Sequence, residues 1–233
     1  MEIAFLSDIH GNIDGLNAVV KEAKSIGIKN FVALGDFVGY YYNPSQVIEC
    51  LLNLNATMIR GNHEEMLLRS ISDKNFLDFL TKKYGHSFKF AIDELSNELL
   101  TILRNLPEKK YINLTGNLEI FICHGSPYAV DEYIYPDASL SVVRNIFKEF
   151  DLVAFGHTHY QTIFNFEKQK IMFNPGSIGQ PREKRKKGAC WCTFNTETRK
   201  VSFFDTPYDK NKVITAVKKY DQNLQYLYKV LER

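Results

Sequence analysis

A chain of 233 residues suits one large domain, or one domain with a substantial insertion, and 45% apolar residues is ordinary for a globular protein. Its formal net charge of +2 does not point to a nucleic-acid partner, and no apolar run approaches the roughly 20 residues of a membrane helix. No secretory leader is recognised, and the four cysteines are interpreted as reduced thiols, so we expect a cytoplasmic protein.

The first 60 residues alternate between short apolar runs and amphipathic segments. The runs at 2–6, 30–34 and 56–60 are rich in β-branched and aromatic residues and predict strands. Segments 12–26 and 45–54 carry apolar residues at helical spacing, with Gly27 after the first and Asn43-Pro44 before the second. This βαβαβ order predicts a parallel sheet with right-handed crossovers.

The pattern changes after residue 64. Three helical stretches, at 65–72, 76–92 and 97–106, follow one another without a strand signal, and Gly85 is a candidate break within the second. Strands then dominate, at 110–114, 118–123, 151–155, 160–166, 170–173, 188–194 and 200–204, with Thr115-Gly116-Asn117 as a hairpin turn. Helices are predicted at 139–150 and at 209–231, the latter as a single C-terminal helix.

Five of the six histidines lie in four short motifs that also contain Asp, Asn or Gly, and a fifth motif contains Gly and Asp without a histidine. In chain order these motifs are Ser7-Asp8-Ile9-His10-Gly11-Asn12, Leu34-Gly35-Asp36, Arg60-Gly61-Asn62-His63-Glu64, Cys123-His124-Gly125 and Gly156-His157-Thr158-His159. Each motif follows a predicted strand, so the loops at the strand ends would gather these side chains at one edge of the sheet. Their oxygen and imidazole groups suit Mn, Fe, Co, Ni or Zn. His86 lies outside the set and is expected at a structural or surface position.

This ordered series resembles the motifs of the calcineurin-like metallophosphoesterase superfamily and spans about two thirds of the chain, from Asp8 to His159. Within the superfamily, the first motif and the segment 174–182 (Asn-Pro-Gly-Ser-Ile-Gly-Gln-Pro-Arg) look like the small prokaryotic phosphodiesterase and diadenosine-polyphosphatase-like branch. The resemblance implies an α/β protein, with the four-layer α/β/β/α sandwich of the metallo-dependent phosphatase fold, as one domain over residues 1–233. We expect the helical block, at about 64–106, to form a cap inserted beside the site.

The resemblance also implies a site for two divalent transition-metal ions, with manganese as the expected ion and iron, zinc, nickel or cobalt as alternatives. One ion would be held by Asp8, His10, Asp36 and His159, and the other by Asp36, Asn62, His124 and His157. Asp36 would therefore bridge the two ions. A metal-bridging hydroxide would attack phosphorus, and His63, outside the metal shell, would assist the leaving group as a general acid. Arg182 would clamp a substrate phosphate.

Two further features each have two interpretations. Arg182 begins the basic run 182–187, which is typical of a solvated loop but would also suit a phosphate-binding loop. The cluster Tyr40-Tyr41-Tyr42 would either pack in the core or form a stacking surface for a nucleotide base. Glu64 and Glu65 are expected in the first turn of a helix and not at the metals.

The sequence therefore predicts a metal-dependent phosphoesterase for a phosphodiester or a nucleotide polyphosphate. Its partner would be that small-molecule substrate, with neither a membrane nor a specific nucleic acid. One alternative is an activity like that of the serine/threonine protein phosphatases, which need an open groove that the helical block disfavours. Another is a non-catalytic scaffold of the same fold, such as the retromer subunit that resembles this family, in which the counterpart of His63 is replaced. The physiological substrate, the metal and assembly into a homo-oligomer stay open.

Overall fold

Residues 1–115 and 118–232 are described by the computed structural model of the protein, and within them the strands form two sheets. The first sheet contains β1 (Glu2–Leu6), β2 (Asn30–Ala33), β3 (Thr57–Met58), β9 (Ala189–Asn195) and β10 (Val201–Thr206), in the order β10-β9-β1-β2-β3. The second contains β4 (Lys109–Thr115), β5 (Leu118–Cys123), β6 (Leu152–Ala154), β7 (Gln161–Asn165) and β8 (Ile171–Pro175), in the order β4-β5-β6-β8-β7. Strands β1, β2 and β3 are parallel, as are β5, β6 and β8, and antiparallel pairings flank each set.

Helices connect these strands and cover the sheets. They are α1 (Ile13–Ser25), α2 (Pro44–Asn53), α3 (Asn62–Ser70), α4 (Lys74–Tyr84), α5 (Ser87–Glu94), α6 (Asn97–Asn105), α7 (Leu140–Ile146), α8 (Asn211–Tyr220) and α9 (Tyr226–Lys229). Asn12 caps α1 by accepting a hydrogen bond from the Gly15 backbone N–H at 3.0 Å. Strands β4 and β5 pair as the predicted hairpin requires, whereas Gly116 and Asn117 of its predicted turn lie outside the described residues.

Side chains alternate along the central strands and separate three apolar layers. Phe5 of β1 points between the two sheets, where its ring centroid lies 5.0 Å from that of Phe173 on β8. Its neighbour Leu6 points the other way, into the layer formed with the helices that cover the first sheet. On the far side, Val153 of β6 packs with Val143 of α7. The order helix, sheet, sheet, helix confirms the predicted four-layer α/β/β/α sandwich.

The prediction of a single C-terminal helix over 209–231 is wrong, because the chain breaks between α8 and α9 at Asp221. The carboxylate of Asp221 is buried and accepts hydrogen bonds from Tyr42 Oη at 2.6 Å, His86 Nδ1 at 2.6 Å and the His86 backbone N–H at 3.0 Å. Gly85, at φ +76°, ends α4 as predicted and lies against the same carboxylate. These partners are more than 130 residues away in sequence, so helical spacing alone could not reveal the break. His86 has the structural position that was predicted.

Within the described residues, no helix is long and apolar enough to cross a membrane. The four cysteines are unpaired thiols: Cys123, Cys190 and Cys192 are buried and Cys50 is half-buried.

Candidate metal centre

The predicted ligands come together where the strands of both sheets end. Asp8 and His10 follow β1, Asp36 follows β2, Asn62 and His63 begin α3, His124 follows β5, and His157 and His159 lie between β6 and β7. Backbone hydrogen bonds from Asp8 to Gly35 (3.1 Å) and from His10 to Asp36 (2.9 Å) tie the first two loops together. Because the parallel strands end at the same edge, side chains far apart in sequence converge there.

Two neighbouring groups of ligand atoms consist only of predicted metal ligands. Within each group all atoms lie within 4.8 Å of one another, and the groups are Asp8, His10 and His159, and Asp36, His124 and His157. This is the division that the family resemblance implies for the two metals. Asp36 lies between the groups, since its Oδ2 is 3.3 Å from His124 Nε2 and 3.8 Å from His10 Nε2. Asn62 is buried beside them, with its Oδ1 left without a hydrogen bond among the described residues.

Three of the imidazoles are oriented by hydrogen bonds at the ring nitrogen that faces away from the site. Each Nδ1 bonds a backbone carbonyl, His10 to Val38 (3.0 Å), His124 to Leu34 (2.6 Å) and His159 to Gln180 (2.8 Å). A carbonyl can only accept, so each Nδ1 carries a proton, and in the neutral ring, the form that binds metal, Nε2 presents a lone pair inward. The Nε2 atoms of His10 and His159 are 3.1 Å apart. Two lone pairs at that distance fit a shared cation.

In each of the two carboxylates, of Asp8 and Asp36, one oxygen accepts hydrogen bonds from neighbouring groups and the other faces the site. Asp8 Oδ2 accepts hydrogen bonds from Ser7 Oγ (2.5 Å) and the His157 backbone N–H (3.0 Å), and Asp36 Oδ1 accepts from the His63 backbone N–H (2.9 Å). The opposite oxygens face the imidazoles. Buried polar atoms without a hydrogen-bond partner in the described residues include Asp8 Oδ1, Asn62 Oδ1, His124 Nε2 and His157 Nε2. Burying these polar atoms without partners is unfavourable, and divalent cations would supply the missing partners.

The electrostatics of the site agree with that fit. Burial lowers the pKa of His10, and it lowers that of His157 to about 4, so both rings are neutral, the form that binds metal. Burial opposes ionisation of Asp8 and Asp36, yet the surrounding imidazoles hold the pKa of both carboxyls well below the ordinary range. Burial would also lower the pKa of His124, but the carboxylates of Asp36 and Asp8 raise it to about 10. The negative charge of the two carboxylates therefore favours a positive charge within the site, which bound cations would supply.

Five of the candidate ligands have left-handed backbone conformations. These are Asp8 (φ 51°), His10 (φ 52°), Asp36 (φ 56°), His157 (φ 69°) and His159 (φ 65°). Such values are uncommon outside glycine, although Asp and His tolerate them better than most residues, and they cluster at functional sites. This strain was not predicted, because it depends on where each loop turns.

Glu64 contributes to the site in a way that the sequence did not reveal. It lies in the first turn of α3, as predicted, and is fully buried. Its carboxylate accepts four backbone N–H groups, from Asp36 (2.8 Å), Phe37 (2.7 Å), Val38 (3.2 Å) and Gly61 (2.7 Å). Burial and the Asp36 carboxylate raise the pKa of Glu64 to about 7. Glu64 thus joins the loop of Asp36 to the start of the helix that carries Asn62. At Gly61 any Cβ would collide with the Asp36 carboxylate.

His63 lies beside the metal ligands and is enclosed by aromatic rings. Its Nε2 is 3.9 Å from Asp36 Oδ2, close enough for His63, His10 and Asp36 to form a third ligand group within 4.8 Å. The ring stacks on Tyr40, with centroids 5.1 Å apart and an interplanar angle of 27°. Tyr84 of α4 and Phe88 of α5 cover it at 5.1 and 5.5 Å. Burial lowers the pKa of His63. The helical block therefore contacts the site directly.

The tyrosine cluster is buried, whereas the basic run lies nearer the surface. Tyr40, Tyr41 and Tyr42 are all buried, so of the two interpretations core packing is confirmed. Arg182 is half-buried and forms no ion pair with the described residues, whereas Lys184 and Arg185 are exposed as in a solvated loop. The Arg182 side chain lines a cavity of about 280 Å³ with Tyr40, Tyr160, Gln180, Tyr226 and Val230. Its backbone N–H donates to the His159 carbonyl at 3.3 Å.

Comparisons with known proteins agree with this geometry. The model of the calcineurin-like phosphoesterase superfamily domain matches residues 1–199. An uncharacterized protein of Methanocaldococcus jannaschii is 33% identical over 93% of this chain and 92% of its own. The crystal structure of a hypothetical protein from Pyrococcus horikoshii superposes with a TM-score of 0.84 at 27% identity, covering 99% of this chain and 97% of that one. The structure of a metallophosphoesterase from Sphaerobacter thermophilus gives a TM-score of 0.78 at 23% identity, over 99% and 98%, and shows the same fold.

Proposed function

Because the chain belongs to the calcineurin-like phosphoesterase superfamily and is a hydrolase of phosphoric esters, we propose that it cleaves phosphodiester or nucleotide-polyphosphate bonds at a dinuclear metal centre. The observation that carries the proposal is the pair of ligand groups at the strand ends. In these groups Asp8 Oδ1, His124 Nε2 and His157 Nε2 have no hydrogen-bond partner among the described residues. Two bound divalent cations, manganese by preference, would supply Lewis acidity and lower the pKa of a nucleophilic water.

The protein's own residues would supply the carboxylate between the metals and the acid that protonates the leaving group. Asp36 presents one oxygen between the two ligand groups and is the proposed bridging carboxylate. His63 is the proposed general acid, which would protonate the leaving oxygen from Nε2. Burial favours the neutral ring, so a protonated His63 would readily give up its proton. Tyr84 and Phe88 exclude water from one side of that ring.

Substrate recognition is proposed for the cavity that Arg182 lines. A guanidinium without a carboxylate partner in the described residues can pair bidentately with a phosphate oxygen pair. The cavity shares Tyr40 with the wall around His63, so a phosphate held by Arg182 would lie next to the proposed reaction centre. We further propose that the helical block, about 64–106 within a single 1–233 domain, is the cap that limits the site to defined small substrates. The unpaired cysteines suit a reducing compartment, and we place the protein in the cytoplasm.

A substrate screen tests the proposal. Manganese-loaded protein would be assayed on bis(p-nitrophenyl) phosphate, a dinucleoside tetraphosphate and a phosphoserine peptide, each with and without chelator, and with Asp36→Ala as the inactive control. We expect chelator-sensitive hydrolysis of the diester and the tetraphosphate. Hydrolysis of the phosphopeptide alone would instead support protein phosphatase-like activity. Activity that survives both chelation and Asp36→Ala would contradict the metal centre.

A further inference from the structure

An aromatic stack leads outward from the candidate metal centre on the loop between β5 and α7. The Tyr133 ring packs on the imidazole of His157, with centroids 4.1 Å apart. Tyr135 stacks on Tyr133 at 5.5 Å with an interplanar angle of only 11°. Tyr133 is 50% exposed and Tyr135 is 42% exposed. We call these two rings the tyrosine platform.

The local sequence explains why both rings face outward together. Ile134 between them is buried in the apolar layer that also contains Val143 of α7. Side chains alternate along extended chain, so anchoring Ile134 inward turns both flanking tyrosines to the opposite side. Pro136 restricts Tyr135 to an extended backbone. The platform is thus held in position before any ligand arrives.

The platform lies next to the proposed phosphate site. Tyr135 contacts Tyr160, with ring centroids 6.3 Å apart, and Tyr160 lines the Arg182 cavity. At its inner end the platform touches His157, one of the proposed metal ligands. A molecule with a phosphate at the metals would therefore have a flat aromatic surface within reach on one side and a guanidinium on the other. Core packing does not account for two parallel, half-exposed rings, because Ile134 already anchors this loop.

We propose that the tyrosine platform binds the base of a nucleoside phosphoester, so that the substrates of this site are nucleotides or dinucleoside polyphosphates. This inference rests on the proposed phosphoesterase function and narrows its substrate class. Each base offers an aromatic face, so stacking would favour nucleosides over phosphate esters of sugars or glycerol without a strong preference among bases. The recognition would come from Tyr135 chiefly, with Tyr133 holding it in place.

Binding of a matched pair of ligands separates stacking from phosphate recognition. Calorimetry on the manganese-loaded protein would compare AMP with ribose 5-phosphate, which carries the same sugar phosphate without the base. The wild-type protein is expected to bind AMP more tightly. In Tyr135→Ala the ratio of the two affinities should fall by about 5-fold to 150-fold, the range for loss of one base–aromatic stack. Tyr135→Phe, which keeps the ring, should retain the wild-type ratio.

Tyr128 provides the matched control, because it lies on the same loop and is 65% exposed, but has no stacking partner among the described residues. Tyr128→Ala should keep the wild-type ratio. Equal binding of AMP and ribose 5-phosphate by the wild type would overturn the platform while leaving the phosphoesterase intact, as would an unchanged ratio in Tyr135→Ala. Failure of the phosphoesterase itself would be seen separately, as loss of metal-dependent hydrolysis in the substrate screen.

Discussion

Replacing Glu64 tests how the metal-binding loops are held. Oε1 of Glu64 accepts the N–H groups of Phe37 and Val38, and Oε2 accepts those of Asp36 and Gly61. In Glu64→Gln one oxygen becomes an amide nitrogen that faces two N–H donors, so two charge-assisted hydrogen bonds are lost. At about 1.5–3 kcal/mol for each bond, the lost bonds alone would lower the free energy of unfolding by about 3–6 kcal/mol, and removing the repulsion with the Asp36 carboxylate offsets part of this loss. For a chain of this size, Tm should fall by up to roughly 24 °C.

The assay is thermal unfolding of the metal-free proteins at pH 8, where Glu64, with a pKa of about 7, is mainly ionised. Glu65→Gln is the control, because Glu65 is next along α3 but 38% exposed, and its pair with Arg60 at 3.6 Å is near the surface. Such a pair is worth about 0–1 kcal/mol, so Tm should change by at most about 4 °C. Glu64→Gln should also bind manganese less tightly. Equal Tm values for the two variants would show that Glu64 does not hold these loops together.

Three further predictions concern the site itself. Asp36→Ala should lose more bound metal than Asp8→Ala, because Asp36 lies between both ligand groups, and full occupancy in Asp36→Ala by elemental analysis would exclude the bridging role. His63→Ala should keep its metal but lose activity on an alkyl diester by about 10²–10⁴-fold, and lose less on a nitrophenyl ester whose leaving group needs no proton; undiminished activity on the alkyl diester would exclude the general acid. Arg182→Ala should raise KM for a polyphosphate substrate more than for an aryl phosphodiester, because only the polyphosphate offers an extra phosphate for bidentate pairing. Equal changes in KM on the two substrates would mean that Arg182 supports the fold and does not select the substrate.

The convergence of the candidate ligands was predicted from short-range patterns, since each motif comes directly after an apolar run and parallel strands bring their ends to one edge. The apolar pattern by itself predicted a parallel α/β unit followed by further strands, and the four layers were implied by the family resemblance. The motif order from Asp8 to His159 therefore predicted the candidate site, and apolar runs such as residues 2–6 predicted the central strands. Glu64 was also placed correctly in the first turn of its helix.

What escaped prediction depends on partners distant in sequence. The break at Asp221 is set by Tyr42 and His86, and neither is visible in the helical spacing of 209–231. The enclosure of His63 requires knowing that α4 and α5 fold back over it. The tyrosine platform did leave a local signal, two tyrosines flanking an isoleucine before a proline, but only burial of Ile134 shows which way the rings face.

Crystallography of manganese-loaded protein, with anomalous scattering to locate the ions, would show directly whether the metal centre is dinuclear. We expect two ions at the edge of the sheets. One would be bound by Asp8, His10, Asp36 and His159, and the other by Asp36, Asn62, His124 and His157. A single ion, or ions bound away from these side chains while they remain unliganded, would contradict this expectation.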